Sequence, residues 1–314
     1  MISFIVIGRN EEKNLERCIK GIHNAASYAG IGDYEIIYVD SRSTDRSIEV
    51  VQQFPDVKIF LVTGHCNAAI GRNIGAREAK GDVLFFIDAD MEIYGEFLAG
   101  VWDANLNTIN ENFVSGMLID IIEKEKVRRS SNTMIPGGIY IIKRELWDAV
   151  GGMRNKFRAG EDYDLGLRLI EKGYRFKRKT DIITNHYTVP MMDKSRAWKA
   201  VWNKYSFYPR CVVLRNHLFT KEMYIMLWKN DKTFILLILA ILLAIFYPVG
   251  GLIAAGIYLL GVLVRSFQNT KFLPFFELVG YYILTDILNL VYFFTFFPKE
   301  KKEEYVAIRH IPVT

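Results

Sequence analysis

The sequence predicts an α/β fold with a doubly wound, mostly parallel sheet, followed by an amphipathic interfacial region and C-terminal transmembrane helices. Apolar segments of strand length alternate with helix-like segments, which is the pattern of a parallel sheet with crossover helices. The apolar run VLFFI, from Val83 to Ile87, has the composition of a strand buried on both faces. Roughly the last eighty residues are dominated by apolar runs long enough for membrane helices.

Composition limits the classes of protein that the chain can be. Its 314 residues allow one large domain and a second region, and 51% apolar with 24% charged residues exclude a disordered chain. The net charge of +5 is mild, and we predict no nucleic-acid partner. Three scattered cysteines without C-x-x-C spacing indicate a reducing compartment and no zinc site. The N-terminal ISFIVIG is too short for a signal peptide, so it predicts a first strand.

The segment before Asp90 predicts four strands separated by three helices. The strands are ISFIVIG (2–8), YEIIYVD (34–40), VKIFLV (57–62) and DVLFFID (82–88), and the helices cover about 12–28, 44–54 and 68–81. Ser43, Thr44 and Asp45 supply N-cap chemistry for the second helix. Right-handed crossovers are expected between the strands.

A second block, from about 113 to 184, completes a predicted sheet domain of residues 1–190. It contains the strand-like FVSGMLIDII and GGIYIIKR and then a helix over EDYDLGLRLIEKG, which ends at Gly173 where a C-cap belongs. Gly137 and Gly138 would let a ligand approach the backbone closely.

Residues 191–233 interleave basic and aromatic side chains. Trp198, Trp202 and Tyr205 are spaced i, i+4, i+7 and would share one face of a helix. This favours an amphipathic helix at a membrane surface, with packing against the sheet domain as the alternative.

Residues 234–298 predict a membrane region with two spans. The first, Phe234 to Val264, has no charged residue but is interrupted at Pro248, so a re-entrant hairpin is the alternative to a single crossing. The second runs from about Leu273 to Phe297. Two crossings keep the lysines of the predicted cytoplasmic tail, 299–314, on the same side as the basic stretch. Asp286 within the second span suggests an inter-helix or inter-subunit contact, and hence a homo-oligomer.

Carboxylates end two of the predicted strands. Asp40 and Asp88 could accept hydrogen bonds from a nucleobase imide or a ribose hydroxyl, because an ionised carboxylate is a pure acceptor. Asp90 could ligate Mg²⁺ or Mn²⁺ and, through the ion, a diphosphate; an acidic turn that caps the next helix is the alternative. Arg72 and Asn73 could support the diphosphate or sugar. The first strand ends in GRNEEKN without G-x-G-x-x-G, which argues against a dinucleotide-binding domain.

Four motifs together resemble a family 2 glycosyltransferase with the GT-A fold. They are R-N-E-E, V-D-S-x-S-T-D, G-R-N-x-G-x-x-x-A-x-G before I-D-A-D, and A-G-E-D-Y-D-L-G-L-R-L, in order over about residues 2–187. The resemblance implies a UDP- or GDP-linked sugar donor, a divalent metal and inversion at the anomeric carbon. It implies that Asp40 and Asp88 contact the nucleoside, that Asp90 binds the metal, and that Glu12 lies in the stretch lining the base pocket.

By the same resemblance Asp162 is the general base, next to Glu161 at the start of a helix. An acceptor hydroxyl must lose its proton as it attacks, and a positioned carboxylate can take it; first-turn capping is the alternative. Asp164 is expected to be structural. His186 could be a further metal ligand or contact the diphosphate, although a lone histidine is more often structural.

The sequence therefore predicts an inverting, metal-dependent, multi-pass cell-membrane glycosyltransferase with a cytoplasmic catalytic domain. It would add one sugar to a lipid or lipid-linked acceptor. The second strand reads D-S-R-S-T-D where polyprenyl-phosphate members more often read D-D-G-S-T-D, so a polyprenyl-phosphate glycosyltransferase is the runner-up. The absence of Q-x-x-R-W disfavours a processive synthase. A nucleotidyltransferase and a non-catalytic membrane scaffold are the more distant alternatives.

Overall fold

The computed structural model describes residues 1–122, 125–129, 137–188, 194–270 and 273–309. The chain divides into a sheet unit, formed by the residues before 190 and after 298, and a helical unit between them. The boundary predicted at residue 190, and residues 310–314 of the predicted tail, lie outside the described residues.

The sheet unit contains twelve strands and six helices among the described residues. Its strands are β1 (Ile2–Gly8), β2 (Tyr34–Asp40), β3 (Val57–Val62), β4 (Val83–Asp88), β5 (Met91–Ile93), β6 (Trp102–Asp103), β7 (Thr108–Ile109), β8 (Phe113–Ile122), β9 (Glu125–Arg129), β10 (Tyr140–Lys143), β11 (Lys177–Tyr187) and β12 (Tyr305–Arg309). Its helices are α1 (Leu15–Tyr28), α2 (Ser47–Gln52), α3 (Ala68–Glu78), α4 (Gly95–Val101), α5 (Arg144–Ala149) and α6 (Glu161–Glu171).

The main sheet confirms the predicted α/β fold and is more mixed than expected in its second half. Its order is β12-β3-β2-β1-β4-β10-β8-β11-β5, with β9 paired to β8. The strands β3, β2, β1 and β4 are parallel, as the alternating sequence pattern predicts. Beyond β4 the strand β10 is antiparallel to both of its neighbours. The parallel register pairs Gly8 with Asp40 and Ile7 with Asp88, so the carboxyl ends of β1, β2 and β4 meet.

Two apolar layers cover the two faces of this sheet. The residues of β4 alternate between them: Phe85 packs with α1, and Phe86 packs with Trp147 of α5 on the other face. Every residue from Val83 to Ile87 is fully buried, as predicted for a strand covered on both faces. Gly173 has φ +89 just after α6, where the sequence predicts a C-cap.

The predicted tail is not a free segment. Tyr305–Arg309 forms β12, which pairs antiparallel with the edge strand β3. The backbone N–H of Thr63 donates to the carbonyl of Glu304 at 2.8 Å, and the guanidinium of Arg309 donates to the carbonyls of Gln52 and Phe54. The tail was predicted from its position after the second span, but the edge of β3 not paired with β2 has free backbone groups that bind one more strand.

The helical unit splits the first predicted span into two helices. Its helices are α7 (Lys194–Trp202), α8 (Leu214–Asn216), α9 (Lys221–Asn230), α10 (Lys232–Phe246), α11 (Pro248–Gln268) and α12 (Phe275–Thr295), with a π-helical segment at Tyr208–Val213. Pro248 starts α11, because proline lacks the N–H that a continuous helix would need there. Arg265 donates to the Thr233 hydroxyl at 2.8 Å, so α10 and α11 form an antiparallel hairpin.

Two helices of the described chain are long and apolar enough to cross a membrane, and they are α11 and α12. The second predicted span coincides with α12, whereas α10 is shorter, with 15 residues. Because α7 ends at Trp202, Tyr205 does not share its face as predicted. Trp198 donates to the Glu277 carboxylate at 2.9 Å, while Trp202 is 73% exposed. Asp286 is 1% exposed, which fits the inter-helix alternative, and an inter-subunit contact stays a prediction.

Candidate active site

The candidate active site lies where the carboxyl ends of β1, β2 and β4 meet. Asp40 ends β2 and is fully buried, with both carboxylate oxygens engaged by the protein. The Tyr38 hydroxyl donates to Oδ2 at 2.8 Å, and Ser43 donates through its backbone N–H at 2.7 Å and its hydroxyl at 2.6 Å. Asp40 therefore shapes the loop that follows β2. In that loop Arg42 has φ +64, at the position where the D-D-G-S-T-D pattern has glycine.

Glu12 ties the loop after β1 to the loop after β2. Its carboxylate accepts from the backbone N–H of Arg46 at 3.1 Å, and its own N–H donates to Asp45 at 3.1 Å. The Asn10 side chain accepts from the backbone N–H of Thr44 at 2.7 Å. The family resemblance implies that Glu12 lies in a stretch lining a base pocket, and the structure shows its side chain bonded to the loop after β2.

A buried arginine joins three segments of the site. Arg72 of α3 is 3% exposed and donates to Asp88 of β4 at 2.7 Å and to Glu161 of α6 at 3.3 Å. It also reaches the carbonyl of Gly138 at 3.4 Å. A buried guanidinium needs such partners, and the fork geometry of arginine lets it serve two carboxylates at once.

Asp88 has a pKa above that of an ordinary aspartate. Burial raises the pKa of its carboxyl to about 6; Arg72 opposes this shift, and Asp90 adds to it. The backbone of Gly138 passes so close that a Cβ there would lie 2.2 Å from Asp88 Oδ2. Gly138, predicted to admit a ligand, therefore makes room for Asp88.

Asp90, His186 and Asp120 form a hydrogen-bonded row beside Asp88. His186 Nε2 lies 3.1 Å from Asp90 Oδ2, and His186 Nδ1 lies 2.8 Å from Asp120 Oδ1. Burial would lower the pKa of His186, but the hydrogen bonds and charges of Asp90 and Asp120 outweigh it and raise the pKa. Asp120 was missed from the sequence, where its only signal is a lone carboxylate in an apolar strand.

The same row has the chemistry of a divalent-cation site. Asp90 Oδ1 is buried without a hydrogen-bond partner among the described residues, so a strong acceptor is left over. Asp90 and His186 offer an oxygen and a nitrogen ligand, and Asp120 on the far ring nitrogen would orient the imidazole. Within the described residues no cluster of three or more His, Cys, Asp or Glu side chains could hold an ion by itself. Water and a bound diphosphate would supply the remaining ligands.

Asp162 has the properties of a general base. It is the second residue of α6, which begins directly after Gly160; the φ of +77 at Gly160 gives the chain a turn that glycine adopts at low cost. Burial, together with the adjacent Glu161 carboxylate, raises the pKa of Asp162 to about 7. A carboxylate with this pKa can both take up and release a proton near neutral pH.

Asp164 is structural, as the sequence predicts. It is fully buried and pairs with Arg154 at 2.8 Å and with Arg168 at 2.7 Å. Arg168 in turn donates to the carbonyls of Val150 and Gly152. This cluster fixes α6 to the segment before it.

Asn73 differs from its predicted role at the donor site. Its side-chain amide donates to the carbonyl of Met153 at 2.7 Å, and its oxygen accepts from the N–H of Met153 at 2.9 Å. Successive residues of a helix point about 100° apart, so Arg72 can face the carboxylates while Asn73 faces the segment around Met153.

Comparison with known proteins identifies the family. The model of glycosyl transferase family 2 matches residues 3–159, which is half of the chain. The chain therefore belongs to glycosyl transferase family 2, whose members are glycosyltransferases, and the predicted family is confirmed.

Three individual proteins illustrate the similarity. An uncharacterized glycosyltransferase of Haemophilus influenzae is 28% identical over 192 residues, covering 55% of this chain and 63% of the relative. The dolichyl N-acetyl-α-D-glucosaminyl phosphate 3-β-D-2,3-diacetamido-2,3-dideoxy-β-D-glucuronosyltransferase of Methanococcus voltae is 26% identical, covering 60% of this chain and 67% of the relative. A mannosyltransferase of Pyrobaculum calidifontis, solved with GDP-Man and Mn²⁺, has a TM-score of 0.60 at 18% identity, covering 92% of this chain and 86% of that one. The last likeness shows the shared GT-A-type fold.

We predict that Gly138→Ala destabilises the protein by about 1–3 kcal/mol, because the new methyl group would displace Asp88 from its contact with Arg72. Gly100→Ala is the matched control, since a Cβ there meets no atom within 4 Å. Chemical unfolding of the purified variants measures the difference. Equal stability of the two variants would show that Asp88 moves without cost.

Proposed function

We propose that the protein is an inverting, metal-dependent glycosyltransferase that moves one sugar from a UDP- or GDP-linked donor to a lipid or lipid-linked hydroxyl. The observation that carries this proposal is the connection of two carboxylate sets through Arg72. Asp88 and Asp90 stand at the strand ends where a diphosphate would bind, and Asp162 stands beside Glu161 on α6. A displacement at a sugar carbon needs both a stabilised leaving group and a base.

On the donor side, Asp90 and His186 would hold Mg²⁺ or Mn²⁺, with Asp120 orienting the imidazole. When bound, the ion supplies neutralisation of the charge that develops on the leaving diphosphate. The Pyrobaculum mannosyltransferase, which has the same fold, was solved with GDP-Man and Mn²⁺. Asp40 and Glu12 hold the two loops that would form the nucleoside pocket.

On the acceptor side, Asp162 would take the proton of the attacking hydroxyl. The acceptor oxygen bonds to the anomeric carbon while the bond from that carbon to the diphosphate breaks, so a single displacement inverts the configuration. A base with a pKa of about 7 is ionised in a large fraction of molecules at neutral pH. The name of the Methanococcus relative describes transfer to the 3-position of a dolichyl-phosphate-linked sugar, which is a hydroxyl acceptor.

A polyprenyl-phosphate acceptor is the second candidate, favoured by Arg178. Its guanidinium donates to the carbonyl of Gly116 at 2.6 Å; burial lowers its pKa to about 10, and the negative charge of Asp162 opposes that shift. An arginine near the base could receive an anionic acceptor. A phosphate is already ionised and would not need Asp162, which makes the two candidates separable.

Membrane association is proposed from α11 and α12, with the sheet unit on the cytoplasmic face. The residues before 190 and after 298 belong to one folded unit, in which β12 is hydrogen-bonded to β3. The chain between them must therefore leave and return on the same side of any membrane that it enters. This connectivity supports an even number of crossings over three. The lysines at 299, 301 and 302 favour the cytoplasmic side.

A homo-oligomer stays a prediction.

We predict a graded loss of metal affinity along the Asp90–His186–Asp120 row. Asp90→Asn should remove metal-dependent transfer almost completely, and Asp120→Asn should weaken Mn²⁺ affinity roughly 10- to 100-fold by releasing the imidazole. Transfer measured against Mn²⁺ concentration gives both values. Asp33→Asn, an exposed carboxylate elsewhere in the sheet unit, is the control. Unchanged Mn²⁺ dependence in both variants would contradict the metal assignment.

We predict that kcat falls as the pH decreases through about 7, because protonation of Asp162 removes the base. Asp162→Asn should retain donor binding and lose roughly 10²- to 10⁴-fold in transfer to a hydroxyl. A pH–rate profile and donor-binding calorimetry test this. Transfer that survives in Asp162→Asn would favour the phosphate acceptor.

We predict that residues 106 and 302 are accessible from the same side of the membrane. Leu106→Cys and Lys302→Cys would be made separately in a Cys66→Ser background, since the other two cysteines are buried. A membrane-impermeant maleimide should label both variants in inside-out vesicles and neither in right-side-out vesicles. Labelling from opposite sides would refute an even number of crossings.

A further inference from the structure

Glu303 comes after the helical unit in the sequence. Its side chain is nevertheless hydrogen-bonded to the segment around residue 155, which precedes α6 and the proposed base Asp162. Its side chain is 10% exposed. The carboxylate oxygen Oε1 accepts from the Asn155 amide at 2.7 Å and from the Asn73 amide at 3.2 Å. The carboxylate also forms an ion pair with Arg77 of α3. Glu303 therefore links the residues before β12, the helix α3 and the segment around residue 155.

Asn155 is the centre of these contacts. Its side chain also donates to the carbonyl of Lys301 at 3.2 Å and accepts from the Asn73 amide at 2.8 Å. Its backbone carbonyl accepts from the side chain of Asn67, the N-cap of α3, at 2.8 Å. The next residue, Lys156, donates its backbone N–H to Glu300 at 3.0 Å. The segment 153–156 is thus clamped between α3 on one side and residues 300–303 on the other.

The clamped segment, residues 153–156, lies a short distance before the proposed base Asp162 in the sequence. Four residues separate Lys156 from Glu161, and the last of them, Gly160, has an unrestricted glycine backbone at φ +77. Asp164 anchors the following turn of α6 to Arg154, inside the clamped segment. A shift at Asn155 would therefore pass to Glu161 and Asp162, and a displacement of about 1 Å of a reacting group can cost roughly 100-fold in rate.

We propose that Glu303 is a positioning residue for Asp162, acting through Asn155. The proposal rests on the proposed function, because it concerns the base of that reaction. Loss of the Glu303 carboxylate would leave the Asn155 amide with only the carbonyl of Lys301, at 3.2 Å, as its acceptor, and would remove the ion pair that joins residues 300–303 to Arg77 of α3. The Asp40, Asp88 and Asp90 carboxylates make none of the contacts described for Glu303, so donor binding would be spared.

Three variants of the full-length, detergent-solubilised protein test the proposal. Glu303→Ala removes the acceptor, whereas Glu303→Gln keeps an oxygen for Asn155. Glu304→Ala is the matched control, because its side chain is exposed and packs over Gly64 instead. Hydrogen exchange of the peptide covering 153–162 and steady-state kcat and donor KM are measured for each.

We expect Glu303→Ala to lower kcat roughly tenfold at unchanged donor KM and to speed exchange in the 153–162 peptide. Glu303→Gln should restore most of kcat, and Glu304→Ala should match the wild type. Asn155→Ala should lower kcat by a similar factor. The double variant with Glu303→Ala should have nearly the same kcat as either single variant, because both substitutions remove the same hydrogen bond.

The proposal is overturned if Glu303→Ala exchanges and turns over like Glu304→Ala, or if its kcat falls without faster exchange in this peptide. Faster exchange throughout the sheet unit, and not mainly in the 153–162 peptide, would also overturn it, because a general loss of folding lowers apparent kcat at unchanged donor KM and speeds exchange everywhere. A wild-type protein that transfers no sugar would refute the proposed function. Faster exchange in Glu303→Ala would then still support the contact that holds the segment.

Discussion

The arrangement of the site depends on one buried charge, the guanidinium of Arg72. A charge in this place is stable only when it is paired, and its partners Asp88 and Glu161 come from β4 and α6, far apart in the chain. Pairing therefore fixes the end of β4, which would face the donor, relative to α6, which carries the proposed base Asp162. A lysine could not replace it equivalently, because an ammonium lacks the planar fork that reaches both carboxylates.

The other functional side chains are held in the same way, by polar contacts from distant segments. Asp120 of β8 orients His186 of β11, and Glu303, beyond the helical unit, holds Asn155. In each case a residue of the proposed site, or the segment that precedes it, is held by a polar side chain from a distant part of the chain. Because these contacts already hold the side chains in place, the side chains lose less conformational entropy when a substrate binds.

Much of the sheet and the main carboxylates could be predicted from the sequence because their signals are local. Apolar runs of strand length defined β1 to β4, and strand-end carboxylates identified Asp40 and Asp88. The features that escaped prediction depend on contacts between distant residues. Asn73 points away from Arg72 and bonds to Met153. Asp120 has a recognisable role only because it is hydrogen-bonded to His186. The strand β12 forms because one edge of β3 is otherwise unpaired. The sequence showed the break at Pro248 in the first predicted span. The packing of α10 against α11 determines that the two helices form a hairpin.

Sugar transfer to a lipid is the central claim, and a transfer assay on the purified, detergent-solubilised protein tests it most directly. The assay would contain Mn²⁺, a panel of radiolabelled UDP- and GDP-sugars and a total lipid extract, with label counted in the organic phase. The account predicts label in that phase with one donor and its loss when the metal is chelated. No organic-phase label from any donor would contradict a lipid-borne acceptor.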